Sequence, residues 1–289
     1  VVSGTPTLTL SNSDTATYAS GTGTTALIFT TVVAEDDTAS SGLSVSSYSG
    51  TIADAAGGAA AAATGSLGTV IVDADDSDMT GCDATDSSYG VGEAISITCT
   101  FDEAVTVTGT PTITLSNSDV ASYASGSGSA NIVFTTTIAE GDTASTDLAV
   151  SSIQTTAGGA TMADAAGNPA DTTIVAGDLG TVTVDGAVPT FTSVAATDSA
   201  YGVGETISIT ATWGEAVVVS GTPTLALSNG GSAAYASGSG STALVFSYTV
   251  AESDTTSSDL SVTAFTGTIA DAAGGAAGAA SGDLGAVTV

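Results

Sequence analysis

Apolar and polar residues alternate along most of this chain with a period of two. Ile207, Ile209, Ala211 and Trp213 are separated by Ser208, Thr210 and Thr212, as in a strand that buries one face. Leu225 and Leu227 continue the alternation after a Gly-Thr-Pro turn. Leu244, Phe246, Tyr248 and Val250 form the next run, and Leu260 with Val262 another. Gly, Ser, Asp and Asn cluster between the runs. Two Ala- and Gly-rich stretches, Ala55–Ala63 and Ala272–Ala280, lack an apolar stripe and read as loops rather than helices.

The pattern recurs. Tyr201–Ser228 reads YGVGETISITATWGEAVVVSGTPTLALS, and Tyr89–Ser116 reads YGVGEAISITCTFDEAVTVTGTPTITLS. The chain opens on Val1-Val2-Ser3-Gly4-Thr5-Pro6, the tail of the same motif. Pro6, Pro111 and Pro223 lie 105 and 112 residues apart. Each is followed by Tyr-Ala-Ser-Gly (Tyr18, Tyr123, Tyr235), a run ending in Phe (Phe29, Phe134, Phe246), an Asp-Ala-Ala-Gly box (Asp54, Asp164, Asp271) and a closing Val-x-Val. This period exceeds that of solenoid repeats and is the size of a domain. About seven short strands per repeat predict an all-β chain of tandem immunoglobulin-like antiparallel β-sandwiches in an elongated array. The boundaries fall at 1–72, 73–184 and 185–289, with the first repeat lacking its first two strands.

Composition narrows the function. The 289 residues include 30 acids and no Lys, Arg or His, a formal charge of −30. Without basic side chains there is no grip on phosphate, so neither nucleic acid nor an anionic membrane is an expected partner. No Ser-His-Asp or Cys-His nucleophile and no His-ligated zinc site can be assembled. A 42% hydrophobic content argues against disorder, and no long apolar run predicts a transmembrane helix. With no initiator Met or signal peptide, the chain reads as a processed product or a window of something longer. No carboxylate can be relieved by a basic side chain. Each must stay in water, accept backbone N–H bonds or bind a cation, and hard oxygen ligands favour calcium.

The string VGExIxIT…EAVxVxGTPTLxLS…YASGSG…DLxVxxF…TIxDAAGN resembles the bacterial Ig-like repeats of giant secreted surface proteins, among them RTX-type adhesins and a cell-surface protein of swimming marine cyanobacteria. The resemblance spans nearly the whole chain. It implies extracellular β-sandwich modules, often stiffened by calcium at their junctions, that usually serve as stalks. Gly58 and Gly275 depart from it where the second repeat has Asn168.

Several residues are candidates for chemistry. Asp76-Ser77-Asp78-Met79-Thr80-Gly81 matches the first half of a calcium loop but has Ser87 where a Glu is expected. Asp73, Asp75, Asp83 and Asp86 surround it, and the set of possible metal ligands extends to Glu93, Asp185, Asp198 and Glu205. The competing reading is a solvated acidic hinge. Asp164 and Asp271 read as turn aspartates that cap backbone N–H groups, with junction calcium as the alternative. Cys82 and Cys99 align with Val194 and Ala211 on core-facing positions of a hairpin, where a disulfide or two buried thiols would fit. A disulfide would agree with an extracellular setting.

Asp102-Glu103 is an adjacent acid pair that invites a glycosidase reading. Neighbours on a strand point to opposite faces, so enzyme activity is not expected. Tyr18, Tyr123 and Tyr235 read as closing the fold rather than stacking on sugars.

Three functions remain. The first is a structural subunit of an extracellular bacterial fibre, joined head to tail by strands that complete the first repeat through Val1, Val2, Leu8 and Leu10. The second is a stalk segment of a continuous, calcium-stiffened adhesin, whose partners are its own adjoining repeats. The third is a calcium-dependent module that binds surface glycans or other copies of itself.

Overall fold

The computed structural model describes residues 1–35, 37–155, 157–173 and 177–289. The chain is all-β, and a single 3-10 turn at Ala157–Gly159 is the one helical piece among the described residues. Its buried apolar side chains fall into three separate clusters, one in each repeat.

The first repeat contains β1 (Val2–Leu10), β2 (Thr15–Ser20), β3 (Ile28–Thr30), β4 (Ser44–Ile52) and β5 (Gly65–Ser66), in the sheet order β3-β2-β1-β4-β5. The second contains β6 (Met79–Ala84), β7 (Ser87–Gly90), β8 (Ala94–Thr108), β9 (Thr112–Leu115), β10 (Val120–Ser125), β11 (Ser129–Thr137), β12 (Val150–Gln154), β13 (Thr161–Ala163) and β14 (Val182–Asp185). Seven of these form the sheet β12-β9-β10-β11-β8-β13, with β6 paired to β8, while β14 runs parallel to β7.

The third repeat contains β15 (Phe191–Ala196), β16 (Ser199–Ala200), β17 (Thr206–Leu227), β18 (Ser232–Ser237), β19 (Ser241–Thr249), β20 (Ser261–Ala270), β21 (Gly282–Asp283) and β22 (Val287–Thr288). Its order is β18-β19-β17-β20-β21 with β15 on β17, and β16 pairs in parallel with β22. The period-two alternation explains these strands. In β8, Ile95, Ile97, Cys99, Phe101 and Val105 are buried, whereas Ser96, Thr98, Thr100 and Asp102 face the other way.

The Gly-Thr-Pro segments were expected as turns, and only the second divides two strands. Gly221-Thr222-Pro223 lies inside β17 and Gly4-Thr5-Pro6 inside β1. Gly221 and Gly4 adopt φ of 75° and 71°, a left-handed conformation open to glycine. One such residue offsets the strand without reversing it. β20 therefore pairs on both sides of the offset, Ser220 with Thr268 and Thr224 with Thr266, a bulge that also tolerates the missing proline donor.

The three tyrosines each stack edge-on against the Phe of the neighbouring strand, at 5.8, 6.4 and 5.9 Å between ring centres. Each hydroxyl also accepts a backbone N–H four residues on, from Thr22, Ser127 and Ser239. They are packing groups with their polar ends satisfied.

The first repeat is thin. Strand β3 has three residues where β11 and β19 have nine. Those longer strands pair with the first half of β8 or β17, whereas β3 pairs with β2 and forms the edge of its sheet. The core there is Leu10, Ala16, Leu43 and Val72, and Ile28, Val32 and Val33 remain exposed. Two expectations about assembly residues change accordingly. Leu10 is buried in its own core, and the backbone of Val1–Val2 is already paired with Ile52–Ala53. One edge of the sheet is β3 and the other the two-residue β5, with Leu8 lining an apolar groove that reaches both.

Cys82 and Cys99 are joined by a disulfide between directly opposed residues of β6 and β8, with Cα atoms 4.0 Å apart. Closing a loop with a sequence separation of 17 stabilises a fold by about 3 kcal/mol. The C82A/C99A variant is expected to lose that amount from the second repeat's unfolding transition while the third repeat's transition stays in place. Calorimetry checks this; an unchanged second transition would contradict it.

Candidate metal centre

The site begins with the Asp-Ala-Ala-Gly box. Asp271 follows the end of β20, and its backbone N–H donates to the Gly275 carbonyl at 2.9 Å. Its Oδ1 accepts from the N–H groups of Ala273 and Gly275, each at 2.8 Å. This is the capping turn that an aspartate stabilises; the same bonds recur around Asp54, and Asp164 Oδ1 accepts from the N–H groups of Gly167 and Asn168 instead. The turn leaves Asp271 only 6% exposed, and its Oδ2 is buried without a hydrogen-bond partner.

Glu215 comes from β17. It lies on the same strand face as the buried Trp213 and Val217, two residues away on either side, so alternation turns it inward at the rim of the core. Asp185 opens the third segment of the sequence-based division, but in the structure it ends β14, which pairs with β7 of the second repeat, so it is structurally part of the second repeat; its Oδ1 accepts from Ala187 N–H at 3.0 Å. One carboxylate oxygen from each of Asp185, Glu215 and Asp271 lies within 4.8 Å of the other two.

Oxygens around one calcium ion, at 2.3–2.6 Å from it, lie at most about 5 Å apart, so the spacing fits a shared hard cation. The triad supplies three of the 6–8 oxygens such an ion takes. Burial, then Asp185 and Asp271, push the Glu215 carboxyl above its ordinary range, as expected for like charges held together.

The first junction repeats these positions as Asp73, Glu103 and Asp164, displaced by 112, 112 and 107 residues. Burial, followed by Asp164, Asp73, Asp102 and Asp75, raises Glu103 in the same way. Asp164 differs. Burial opposes its ionisation, but the Asn168 side chain and the N–H groups of Asn168, Gly167 and Ala166 outweigh it and hold the carboxyl below the usual range.

The other sequence candidates are dispersed. Asp73, Asp75, Asp76 and Asp78 share an acidic cleft of about 500 Å³ with Glu35, Asp102 and Glu103. Burial and the neighbours Asp76, Asp102, Asp171 and Asp75 raise Asp78. The second half of the proposed calcium loop from Asp76 to Gly81 is strand rather than loop. Met79, Thr80 and Gly81 belong to β6 and pair with β8, Met79 is buried, and the Thr80 hydroxyl donates to the Thr100 carbonyl at 3.0 Å. With Thr80 in the strand and its hydroxyl bonded across to Thr100, the segment does not make the curled loop that ligation at three alternate positions requires.

Asp86 and Asp198 instead accept from the N–H groups of Thr181 and Ala286 in the closing segments of their repeats. Asp83 lies beside Gly180. Glu93 and Glu205 accept from Gly90 and Gly202 N–H within their own turns. Of the metal candidates, Asp185 enters the triad, together with Asp271, for which junction calcium was the alternative to a capping turn. Glu215 and Glu103 were missed as ligands, although their place between Trp213 and Val217, and between Phe101 and Val105, marks them as inward-facing acids.

No protein-family model matches the chain, and a search of the curated proteins found no match.

The raised Glu215 sets a sign for pH. Its ionised form costs stability at neutral pH, and that cost disappears as pH falls through its raised range. In chelator, E215Q is expected to melt a few degrees above the parent near pH 7, with the gap closing as acid protonates Glu215. In excess calcium the order reverses, because the ion requires the charge. Melting curves over a pH series check both signs, and an E215Q variant that stays the more stable with calcium present would contradict the site.

Proposed function

We propose that the chain is a non-enzymatic structural segment of an extracellular bacterial stalk, built from Ig-like β-sandwich units and stiffened by calcium at a junction between them. One observation carries this reading. Asp185 belongs to the last strand of the second repeat, Glu215 and Asp271 to the third, and their oxygens converge within 4.8 Å. A cation held there ties consecutive units and resists their bending.

Further contacts support a fixed junction. The turn at Gly90 packs against Ala273 of the third repeat closely enough that no side chain fits at residue 90. The segment between the units is tied back by the Gly141 N–H to the Gly186 carbonyl at 2.9 Å. The Cys82–Cys99 disulfide suits an oxidising compartment, and a chain without Lys or Arg offers trypsin-like proteases no cleavage site.

A second reading, a fibre joined by strand complementation, is favoured by the first repeat. Its apolar groove of about 440 Å³ is lined by Leu8, Leu27, Phe29, Val45, Ile52 and Leu67 beside the open edge of β3. The occupant it fits is a strand of the β8 type, with alternating apolar residues and free backbone groups. Such a strand can come from preceding residues of the same polypeptide or from another copy.

Both readings are measurable. Calcium is expected to raise the melting temperature of the third repeat and to narrow the distribution of interdomain distances in small-angle scattering. No change in either on adding chelator would contradict the stalk. A labelled peptide with the sequence of Gly92–Phe101 is expected to bind the chain saturably and to extend the protection of β3 amides from exchange; absence of binding would contradict complementation.

A further inference from the structure

The two junctions carry the same three acids but differ at one neighbouring position. Four residues after the box aspartate the second repeat has Asn168 and the third has Gly275. At the first junction the Asn168 carboxamide nitrogen donates to Asp164 Oδ2 at 2.8 Å, to the Asp75 carbonyl at 2.9 Å and to the Asp73 carbonyl at 3.2 Å. A single –NH2 group therefore joins the box of the second repeat to the segment entering from the first. It supplies positive hydrogen atoms to three oxygens that would otherwise face one another.

Those oxygens have counterparts at the second junction in Asp271 Oδ2 and the carbonyls of Ala187 and Asp185, at the same sequence offsets. Gly275 offers them no donor. The Ala187 carbonyl oxygen lies 3.0 Å from where a Cβ on Gly275 would stand, and Asp271 Oδ2 lies nearer still. Asp271 Oδ2 is buried and has no partner, unlike Asp164 Oδ2. A chain with no Lys, Arg or His has no side-chain cation to send there. A buried, unpartnered oxygen on a carboxylate that itself lies within 4.8 Å of two further carboxylates needs positive charge from outside the chain.

We infer that the two junctions are closed by different groups, the Asn168 carboxamide at the first and a bound divalent cation at the second, with the residue four places after the box aspartate deciding which. The inference rests on the reading of Asp185, Glu215 and Asp271 as a cation site and adds that the homologous acids Asp73, Glu103 and Asp164, which do not converge to that spacing in the structure, do not need an ion. The acidic cleft around Asp75, Asp76 and Asp78 does not alter the count. Asp75, Asp76 and Asp78 there are not fully buried and attract ions diffusely, an effect screened by salt.

Calcium titration calorimetry on the full chain, after chelation and in about 0.15 M monovalent salt, tests it. The parent is expected to show one tight site, D271N none and N168G two. Two tight sites in the parent would overturn the inference while leaving the cation reading intact, and none would overturn both. A single site in N168G, with the fold intact by circular dichroism, would also overturn the inference. G275N gives an independent arm that does not depend on N168G folding. Its Cβ displaces the Asp271 carboxylate oxygen that stands in its place, and the new carboxamide is expected to abolish the tight site while the third repeat's unfolding transition is kept; retention of the site would contradict the proposal.

Discussion

Thirty carboxylates and no cationic side chain impose one constraint on everything else: negative charge has to be met by the backbone, by protons or by ions from outside. Backbone N–H groups meet much of it. Asp54, Asp164 and Asp271 cap the box turns, Asp86 and Asp198 cap the closing segments, and Asp37, Asp142 and Asp254 each accept an N–H three residues back. These bonds do locally what salt bridges do elsewhere, and they also fix the loops in which the acids sit. Charge neutralisation and loop geometry are thus one device. Its remainder is the Asp185–Glu215–Asp271 cluster, where backbone donors reach one oxygen of Asp271 and leave the other bare.

Apolar packing supplies the rest of the architecture and varies from repeat to repeat around a shared plan. The first two strands of the second repeat are joined covalently by Cys82 and Cys99, where the third has Val194 opposite Ala211. The third adds an edge-on contact between Phe191 and Trp213, with ring centres 5.7 Å apart. In the first repeat β3 pairs with β2 alone among the described residues, and its shortness accords with a strand answered on one side only. A strand persists only as far as its hydrogen bonds and buried face are answered on the neighbouring strand.

Much of this was legible in the sequence, for reasons that differ by element. The strands were readable because each buries one face, which writes period two into Thr206–Trp213 and its copies. The pairing of Cys82 with Cys99 was readable because two aligned repeats place both on core-facing positions. The Gly-Thr-Pro offset was not readable, since a left-handed glycine before a proline serves a turn and a bulge equally well; the cross-strand register with β20 decides between them. The cation cluster was half legible. Asp185 stood out as a junction acid, but Glu215 hides in a strand where its neighbours look like ordinary core, and the convergence of three acids from two repeats is a tertiary fact. The calcium-loop motif from Asp76 to Gly81 misled because its spacing carries no information about whether the backbone curls or extends.

The central claim is that a hard cation sits among Asp185, Glu215 and Asp271. Anomalous diffraction from crystals grown with a lanthanide or with calcium addresses it directly. The account predicts an anomalous peak at about 2.3–2.6 Å from oxygens of all three residues, with Asp271 Oδ2 among the ligands. Difference density at that point with no anomalous signal, in crystals that carry the ion elsewhere, would contradict it.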